Sequence, residues 1–303
     1  METKRSAYGI GETVLDIIFK NDQPQAANPG GSVFNSMISL GRSGVPATFV
    51  SQTGDDHVGD IVVNFLRDNG VCPDYVYRQP NTKSHISLAF LNDQNDARYQ
   101  FYKDHASVQL TQDFPNVQEG DVVLFGSFFA INPVIRKQVL QFMQRAKQRG
   151  AMVYYDINFR KPHLADLPVC MPNLLENLAL SDVVRGSSED FEILYGERDS
   201  TVIYEKHIKP RCPFLIYTDG AREIHVHTPD NHLTFPVQQI PTVSTVGAGD
   251  SFNAGFVYGL IKEQIFQEQM VNLQLDKWSI LIEHGQRFSR EVCQSLENYI
   301  SKK

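Results

Sequence analysis

Short apolar runs and amphipathic stretches alternate along most of this 303-residue chain. The apolar runs indicate buried strands, because they are rich in β-branched and aromatic residues and end at turn signals. Helical periodicity fills the intervals between them. The predicted strands cover 47–54, 121–127, 151–158, 182–186 and 214–220, and the predicted helices cover 32–42, 58–70, 133–150 and 188–196. Strands alternating with helices predict a mostly parallel sheet with helices on both faces.

One region departs from that alternation. Residues 84–91 and 97–102 have a period of two and flank a turn-like NDQND, which predicts a β-hairpin. Ile86, Leu88 and Phe90 would line one face of its first strand. Since an apolar sheet face needs cover, we expect a lid over a pocket, a dimer contact or an edge hairpin packed on its own domain.

A second segment belongs with this hairpin. The strand pattern around 14–19 would pair with it in a small β-sheet beside the main one, with strands expected within about 12–27 and 82–104. We treat residues 1–303 as one α/β domain, because no repeat, low-complexity tract or Ser/Gly-rich linker divides the chain.

Composition removes several classes of protein. The apolar fraction of 42% and the charged fraction of 21% are typical of a globular chain. The net charge of −7 and the lack of a Lys/Arg cluster argue against nucleic acid as a partner. No apolar run approaches the roughly 20 residues of a membrane span. Without a CxxC pair or a cleavable leader pattern, the four cysteines favour reduced thiols in a cytoplasm.

The segment PTVSTVGAGDSFNAGFVYGL, residues 241–260, indicates chemistry most directly. Gly247, Ala248 and Gly249 precede a helix, whose free amides and dipole attract an anion. Asp250 in the first turn could be an ordinary helix cap. Beside an anion site, however, it could take a proton from an attacking hydroxyl. The helix end would then lower the pKa of Asp250 and keep it ionised.

Other catalytic and phosphate-binding motifs are missing. The chain has no GxxxxGK[ST], so a P-loop is excluded. Gly9 and Gly11 lack the third glycine and the following helix of a dinucleotide-binding turn. Neither GxSxG nor HExxH occurs, which argues against the usual hydrolases and zinc proteases.

Two motifs together resemble a known family. TVGAGDSFNAGF is similar to the C-terminal signature of the ribokinase/PfkB carbohydrate kinases, which reads D-T-x-G-A-G-D-x-F. NPGGSVFNSMISLGRSGVPATFVSQTGDD resembles the N-terminal signature of the same family. The resemblance runs from about Tyr8 to Phe256 and implies a ribokinase-like three-layer α/β/α fold with a small β-sheet lid. It implies that Asp250 is the catalytic base and that Gly247, Ala248 and Gly249 bind the transferred phosphate.

The resemblance also assigns a sugar site. Gly30, Gly31 and Asn35 match the substrate-contacting positions of the N-terminal signature, and Asp16 matches the acid that binds two sugar hydroxyls. Carboxylates suit that task because they accept from paired hydroxyl groups. By themselves, these residues would be a turn into a helix, a solvent-facing Asn and a strand-end charge.

Two arginines are candidate cations for a phosphate or a polar substrate. Arg98 lies on the predicted hairpin. Arg160 ends DINFR, which is similar to a stretch found near the site in fructokinase-like and ketodeoxygluconate-kinase-like members. Either residue alone would more ordinarily form a surface ion pair. We expect Arg160 to be the better candidate.

The residues expected to bind the nucleotide match the family pattern less closely. SSED places Ser187 and Asp190 where the family has Asn-x-x-Glu, a motif linked to magnesium and phosphate, and Glu189 is an alternative metal ligand. Thr218 and Gly220 match the T-x-G turn near the ATP phosphates, which Gly247 and Gly249 would also contact.

One departure from the C-terminal signature concerns a monovalent cation. Ser244 replaces the signature aspartate, which helps to bind that cation in many relatives. This substitution argues against activation by potassium.

The resemblance implies a kinase that uses ATP and Mg²⁺ to phosphorylate a primary hydroxyl of a small sugar. Fructose is the first expectation, and 2-keto-3-deoxygluconate, ribose or a nucleoside are alternatives. A homodimer formed through the small sheet is expected by analogy. A catalytically weak sugar-binding regulatory protein is the alternative from another class.

Overall fold

The computed structural model describes residues 5–91, 97–102, 110 and 113–302. Its large sheet has nine strands, which are β1 (Ala7–Ile10), β4 (Ala47–Gly54), β5 (Val71–Gln79), β8 (Val122–Gly126), β9 (Met152–Asp156), β10 (Val183–Ser187), β11 (Phe214–Thr218), β12 (Glu223–His227) and β13 (His232–Pro236). They lie side by side in the order β13-β12-β11-β10-β9-β8-β1-β4-β5. The strands from β11 to β5 run parallel to one another, while β12 and β13 are antiparallel.

Helices cover both faces of this sheet. The α-helices are α1 (Ser32–Arg42), α2 (His57–Asp68), α3 (Ser127–Ile131), α4 (Arg136–Gln148), α5 (Leu167–Leu180), α6 (Ser188–Tyr195), α7 (Ser200–Ile203), α8 (Ala248–Lys262) and α9 (Leu275–Cys293). Short 3-10 turns at Lys161–Asp166 and Gln267–Asn272 and a π-turn at Tyr204–Ile208 join some of them.

The hydrophobic core therefore has two layers, one on each face of the sheet. One layer holds side chains from α1, α2, α8 and α9, including Phe34, Phe256 and Trp278. The other holds side chains from α3 to α7, including Phe142 and Phe191. This is the three-layer arrangement predicted from the alternating pattern.

A second sheet of four strands lies beside the first. Its strands are β2 (Val14–Lys20), β3 (Gln23–Gly30), β6 (Ile86–Leu91) and β7 (Ala97–Tyr102). They lie in the order β3-β2-β6-β7. The predicted hairpin is confirmed, since β6 pairs with β7 antiparallel and with β2 in parallel. Its turn, residues 92–96, lies outside the described residues.

The predicted strands and helices are present with bounds shifted by a few residues at most. The local sequence patterns did not predict β1, β5, the β12–β13 hairpin, α3, α5, α7 or α9. Helix α5 carries prolines at 168 and 172, which obscured its periodicity. The hairpin is polar and histidine-rich, so it lacks the apolar runs that identified the parallel strands.

Because the strands are parallel, the carboxyl ends of β9, β10 and β11 lie at the same edge of the sheet. The register aligns Asp156 with Arg185, and Ser187 with Thr218. Ligands of open α/β sheets bind outside the carboxyl ends of the strands, so this edge is the first place to look for a site.

Candidate active site

The N-terminus of α8 has the geometry of an anion site. Gly247 caps the helix with φ +78°, and a Cβ there would lie 2.6 Å from the carbonyl oxygen of Asn298, so this position requires glycine. The Ala248 amide donates to the Thr245 carbonyl at 3.2 Å. For the amides of Gly247 and Gly249, the described part of the chain supplies no acceptor. Two donors at this helix end are therefore free for an anion.

Asp250 does not cap its own helix but joins α8 to α1. Its Oδ1 accepts from the Ser32 hydroxyl at 2.8 Å, and its Oδ2 accepts from Asn35 Nδ2 at 2.9 Å. The Ser36 hydroxyl donates to the Asp250 backbone carbonyl at 2.8 Å. The two helix starts thus hold one carboxylate between them.

The pKa of Asp250 is raised, so the expectation that the helix end would lower it is wrong. Burial raises this pKa most strongly, while the hydrogen bonds from Asn35 and Ser32 and the charges of Arg160 and Arg185 lower it. Withdrawing the carboxylate from water outweighs these favourable interactions.

The turn between β3 and α1 brings the sugar-site candidates to Asp250. Gly31 caps α1 with φ +131°, and a Cβ there would collide with the Glu12 carbonyl. The turn leads directly to Ser32 and places Asn35 in the first turn, with 5% of its surface exposed. A solvent-facing Asn35 is therefore excluded.

Asp16 lies on the same side of this turn. A Cβ on Gly30 would be 2.7 Å from Asp16 Oδ2 and 3.7 Å from Asn35 Oδ1, so these side chains converge. The Ser87 hydroxyl of β6 donates to Asp16 Oδ1. Burial raises the pKa of Asp16 to about 6, although the bond from Ser87 lowers it. The structure brings Asp16, Gly30, Asn35 and Asp250 into one region.

The two candidate arginines occupy different places. Arg98 is exposed on β7, the outer strand of the small sheet, opposite Phe90. Arg160 is exposed in the loop after β9, with its guanidinium 3.8 Å from Glu189. The charge of Arg160 lowers the pKa of Asp250. Of the two arginines, Arg160 is therefore the one that acts electrostatically on the site.

Most of the candidate nucleotide residues line one cavity of about 290 Å³ next to α8, whereas Gly247 is not among its lining residues. Its polar lining includes Ser187, Thr218 and the backbone of Gly220, Ala248 and Gly249. Its apolar lining includes Ile224, Val237, Ile240 and Phe252. Such a mixed lining suits a ligand with an apolar body and a charged end.

Ser187 and Asp190 form a capping box at the start of α6. The Asp190 amide bonds to the Ser187 hydroxyl, while Asp190 Oδ2 accepts from the Ser187 amide at 2.7 Å. The Asp190 side chain is buried, and its Oδ1 has no hydrogen-bond partner within the described structure. One oxygen is thus used by the helix cap and the other stays free.

The described residues do not form a metal cage of their own. Within residues 5–91, 97–102, 110 and 113–302, no three His, Cys, Asp or Glu side chains are grouped to hold a metal ion. Magnesium that arrives on a nucleotide keeps several waters and needs only one or two carboxylates. The free oxygen of Asp190 and the exposed carboxylate of Glu189 supply that number of ligands, although neither residue lines the cavity itself.

No role was assigned from the sequence to several polar residues of this region, including Ser32, Ser87, Asp156 and Arg185. The last two form a buried ion pair across β9 and β10, with Arg185 Nη1 3.0 Å from Asp156 Oδ1. The sequence contained a signal for this pair, since Arg185 stands inside an apolar strand pattern. An arginine is almost never buried in such a strand unless it is paired. Ser32 and Ser87 had no comparable signal, since serine is common in any turn or strand.

A helix end with free amides beside a partly buried carboxylate suits phosphoryl transfer to a hydroxyl. The sequence model of the pfkB family carbohydrate kinases matches residues 9–271, and the chain belongs to this family. It is therefore a carbohydrate kinase. None of the helices in the described residues has the length and apolar character needed to cross a membrane.

Individual relatives agree with this assignment. The chain is 26% identical over 269 residues to a fructokinase of Rhizobium leguminosarum bv. trifolii, covering 86% of this chain and 81% of the relative. A fructokinase double mutant from Vibrio cholerae O395, solved with fructose, ADP and a potassium ion, superimposes with a TM-score of 0.86 at 20% identity over 98% of this chain and 95% of that one. Aminoimidazole riboside kinase from Salmonella enterica gives a TM-score of 0.80 at 19% identity over 97% and 95%. These likenesses confirm the ribokinase-like fold.

Proposed function

We propose that this carbohydrate kinase transfers the terminal phosphate of ATP to a primary hydroxyl of fructose. The observation that carries the proposal is the position of Asp250. On one side of its carboxylate lie α1, Asp16 and Asn35, and on the other lie the glycines at the start of α8. Fructose is preferred because curated relatives are named fructokinases, and because a similar fold was solved with fructose and ADP.

The proposed mechanism relies on positioning and electrostatics, as phosphoryl transfer generally does. Asp250 accepts the proton of the attacking hydroxyl, and its raised pKa makes it a stronger base near neutral pH. The amides of Gly247 and Gly249 donate to the transferred phosphate. The Ala248 amide would first have to release the Thr245 carbonyl.

The sugar is held on the α1 side of Asp250 in this proposal. Asp16 accepts from two sugar hydroxyls, Asn35 contributes its free Oδ1, and the lack of side chains at Gly30 and Gly31 leaves room for the ring. Arg160 is the nearer cation for the phosphate or the substrate. Arg98 stays the weaker candidate because it lies on the outermost strand.

The nucleotide is held in the cavity that Ser187, Thr218, Gly220 and Gly249 line. Asp190 and Glu189 are the residues that would hold Mg²⁺ on the nucleotide. When bound, this ion neutralises phosphate oxygens. We propose no requirement for potassium, since Ser244 has no carboxylate and its hydroxyl accepts from the Val246 amide at 3.2 Å.

We further propose that the whole chain is one kinase domain that forms a homodimer through the small sheet. Ile17 and Phe19 of β2 and Leu88 and Phe90 of β6 share one face of that sheet and are partly exposed. The rings of Phe19 and Phe90 stack with centroids 5.1 Å apart. A second copy would cover this face.

A coupled assay of ADP release across a panel of sugars tests the function. We expect the highest kcat/KM with fructose, and lower values with ribose, 2-keto-3-deoxygluconate and nucleosides. Activity that favours one of these other acceptors would overturn the choice of fructose. Thermal stabilisation by a sugar without ADP release, under any nucleotide or metal, would instead indicate a binding or regulatory protein.

A further inference from the structure

The side chain of Arg185 is buried at the edge of the sheet where the site lies. Only 7% of its surface is exposed, and it lies on β10 in register with Asp156 of β9. Burial lowers the pKa of this guanidinium, but the attraction of Asp156 and Asp190 more than offsets it, so the pKa is raised and the charge is retained. A charged side chain buried this deeply has to be stabilised by other groups, because its removal from water costs free energy.

Pairing with Asp156 explains only part of the geometry. Arg185 Nη1 donates to Asp156 Oδ1 at 3.0 Å, and Nη2 donates to the Thr218 hydroxyl at 2.7 Å. Its Nε has no partner among the described residues. A guanidinium group that served only to pair with a carboxylate would donate two parallel hydrogen bonds to the two carboxylate oxygens. Here Asp156 Oδ2 also lacks a partner, and the second arm of the fork goes to Thr218 instead.

The bond to Thr218 fixes the role of that hydroxyl. Arginine has donors only, whereas a threonine hydroxyl has one hydrogen to donate and lone pairs to accept. Since the Thr218 oxygen accepts from the cation, its hydrogen must point away from Arg185. Thr218 and Arg185 both line the cavity proposed for the nucleotide.

Arg185 also adjoins the anion site of α8. A Cβ on Gly249 would lie 3.0 Å from Nη2 and 3.1 Å from Nη1, so the guanidinium packs directly against this glycine. The amide of Gly249 is one of the two free donors at the helix end. A buried cation, an oriented hydroxyl and a free amide therefore meet at one end of the cavity.

We propose that Arg185 is a positioning residue of the nucleotide site, which holds the Thr218 hydroxyl as a donor to a phosphate oxygen of the nucleotide. This inference rests on the proposed function, because it requires a nucleoside phosphate in the cavity. The alternative is that Arg185 only neutralises Asp156 and stabilises the fold.

Direct binding measurements on the full chain separate these roles. We would titrate Arg185→Lys, Thr218→Val and the double variant with ADP and with adenosine, by calorimetry. Lysine keeps the charge but loses the planar fork that reaches both partners. We expect each single variant to weaken ADP binding by about tenfold or more, as for a lost hydrogen bond to a charged group, and to leave adenosine binding unchanged.

The double variant tests whether the two residues act together. If Arg185 acts through Thr218, the affinity of the double variant for ADP should be about the same as that of the single variant with the lower ADP affinity. Thr218→Ser retains a hydroxyl and should bind ADP nearly as well as the wild type. Additive losses, or equal losses for ADP and adenosine, would show that Arg185 is merely structural.

Two matched variants control for damage to the fold. Arg136→Lys alters another buried arginine, 9% exposed, which donates to Asn177 and lies outside the residues lining this cavity. Thr228→Val alters a threonine that is 8% exposed in the β12–β13 connection. Neither should change ADP affinity, even if the melting temperature falls.

The wild type separates this inference from the proposed function. Wild-type protein that binds ADP but phosphorylates no sugar would overturn the function and leave the role of Arg185 standing. Active wild-type protein whose ADP affinity survives in Arg185→Lys and Thr218→Val would overturn the role alone. Wild-type protein without measurable ADP binding would overturn both.

Discussion

The carboxylate of Asp250 receives two hydrogen bonds from α1, and its replacement is the sharpest test at the scale of single residues. In Asp250→Asn the remaining carbonyl oxygen can still accept from Asn35, and the Ser32 hydroxyl can turn to accept from the new amide. We therefore expect little loss of stability. Since the base is lost, kcat should fall by at least about 10²- to 10⁴-fold in steady-state kinetics.

Ser32→Ala is the matched control for that variant. It removes one partner of Asp250 but keeps the base, so kcat should fall far less. Because the Ser32 hydrogen bond lowers the pKa of Asp250, its loss should move the acidic limb of the kcat/KM profile to higher pH. Near-wild-type turnover by Asp250→Asn would remove Asp250 from the chemistry.

Asp16 gives a prediction about pH and stability. Burial raises its pKa to about 6 from 3.8, so between these values the folded protein holds a proton that the unfolded chain releases. The contribution of Asp16 to stability is thus present at low pH and is lost as pH rises through about 6. Asp16→Asn should become progressively more stable than the wild type over that interval, while its KM for the sugar rises.

Urea unfolding of both proteins, at several pH values between about 4 and 8, measures this difference. Ser87→Ala supplies a control, because it removes the hydrogen bond to Asp16 but keeps the carboxylate. A stability difference between Asp16→Asn and the wild type that does not change with pH would contradict the raised pKa.

At the scale of secondary-structure elements, the turn from β3 into α1 controls the site. Gly31 has φ +131°, and a Cβ there would meet the Glu12 carbonyl, so Gly31→Ala must shift the start of α1. That shift would move Ser32 and Asn35 away from Asp250. We expect a loss of several kcal/mol in the free energy of unfolding, typical of a strained and overpacked position, together with a lower kcat.

Gly44→Ala is the comparison for that variant. Gly44 also has a positive φ, +83°, but a Cβ there would meet nothing within 4 Å. Its replacement by alanine should lower the free energy of unfolding by roughly 1 kcal/mol, because only the left-handed backbone conformation is penalised. The kcat should stay unchanged. Equal effects of the two substitutions in unfolding and kinetic measurements would show that contact with Glu12 has no role.

At the scale of the whole molecule, the apolar face of the small sheet predicts a homodimer. Leu88 lies in the middle of this face, paired with Ile17 of β2. Leu88→Asp would place a charge in the interface, so it should convert a dimer into a monomer in sedimentation equilibrium. Val169→Asp changes a side chain on α5 that is 68% exposed and should leave the mass unchanged. A monomeric wild type would contradict the proposal.

Much of the architecture was predictable from local patterns. The predicted strands 47–54 and 151–158 correspond to β4 and β9, and the predicted helix 32–42 is α1. The glycines before α8 indicated a helix end that favours an anion. These features depend on periodicity and turn chemistry within a few residues, which any single sequence displays.

The partners of the functional groups were not predictable in the same way. Ser32 and Asn35 bind a carboxylate 218 and 215 residues further along the chain, and Arg185 turned out to be buried between Asp156 and Thr218. No local pattern encodes which polar groups meet across such separations.

The sequence by itself determined the α/β class, the hairpin beside the main sheet and the position of the anion-binding helix end. Only the tertiary structure decided that Asp250 is tied to α1 and that its pKa is raised rather than lowered. The physical reason is that desolvation depends on everything packed around a carboxylate, whereas the effect of a helix end is already visible in the adjoining residues.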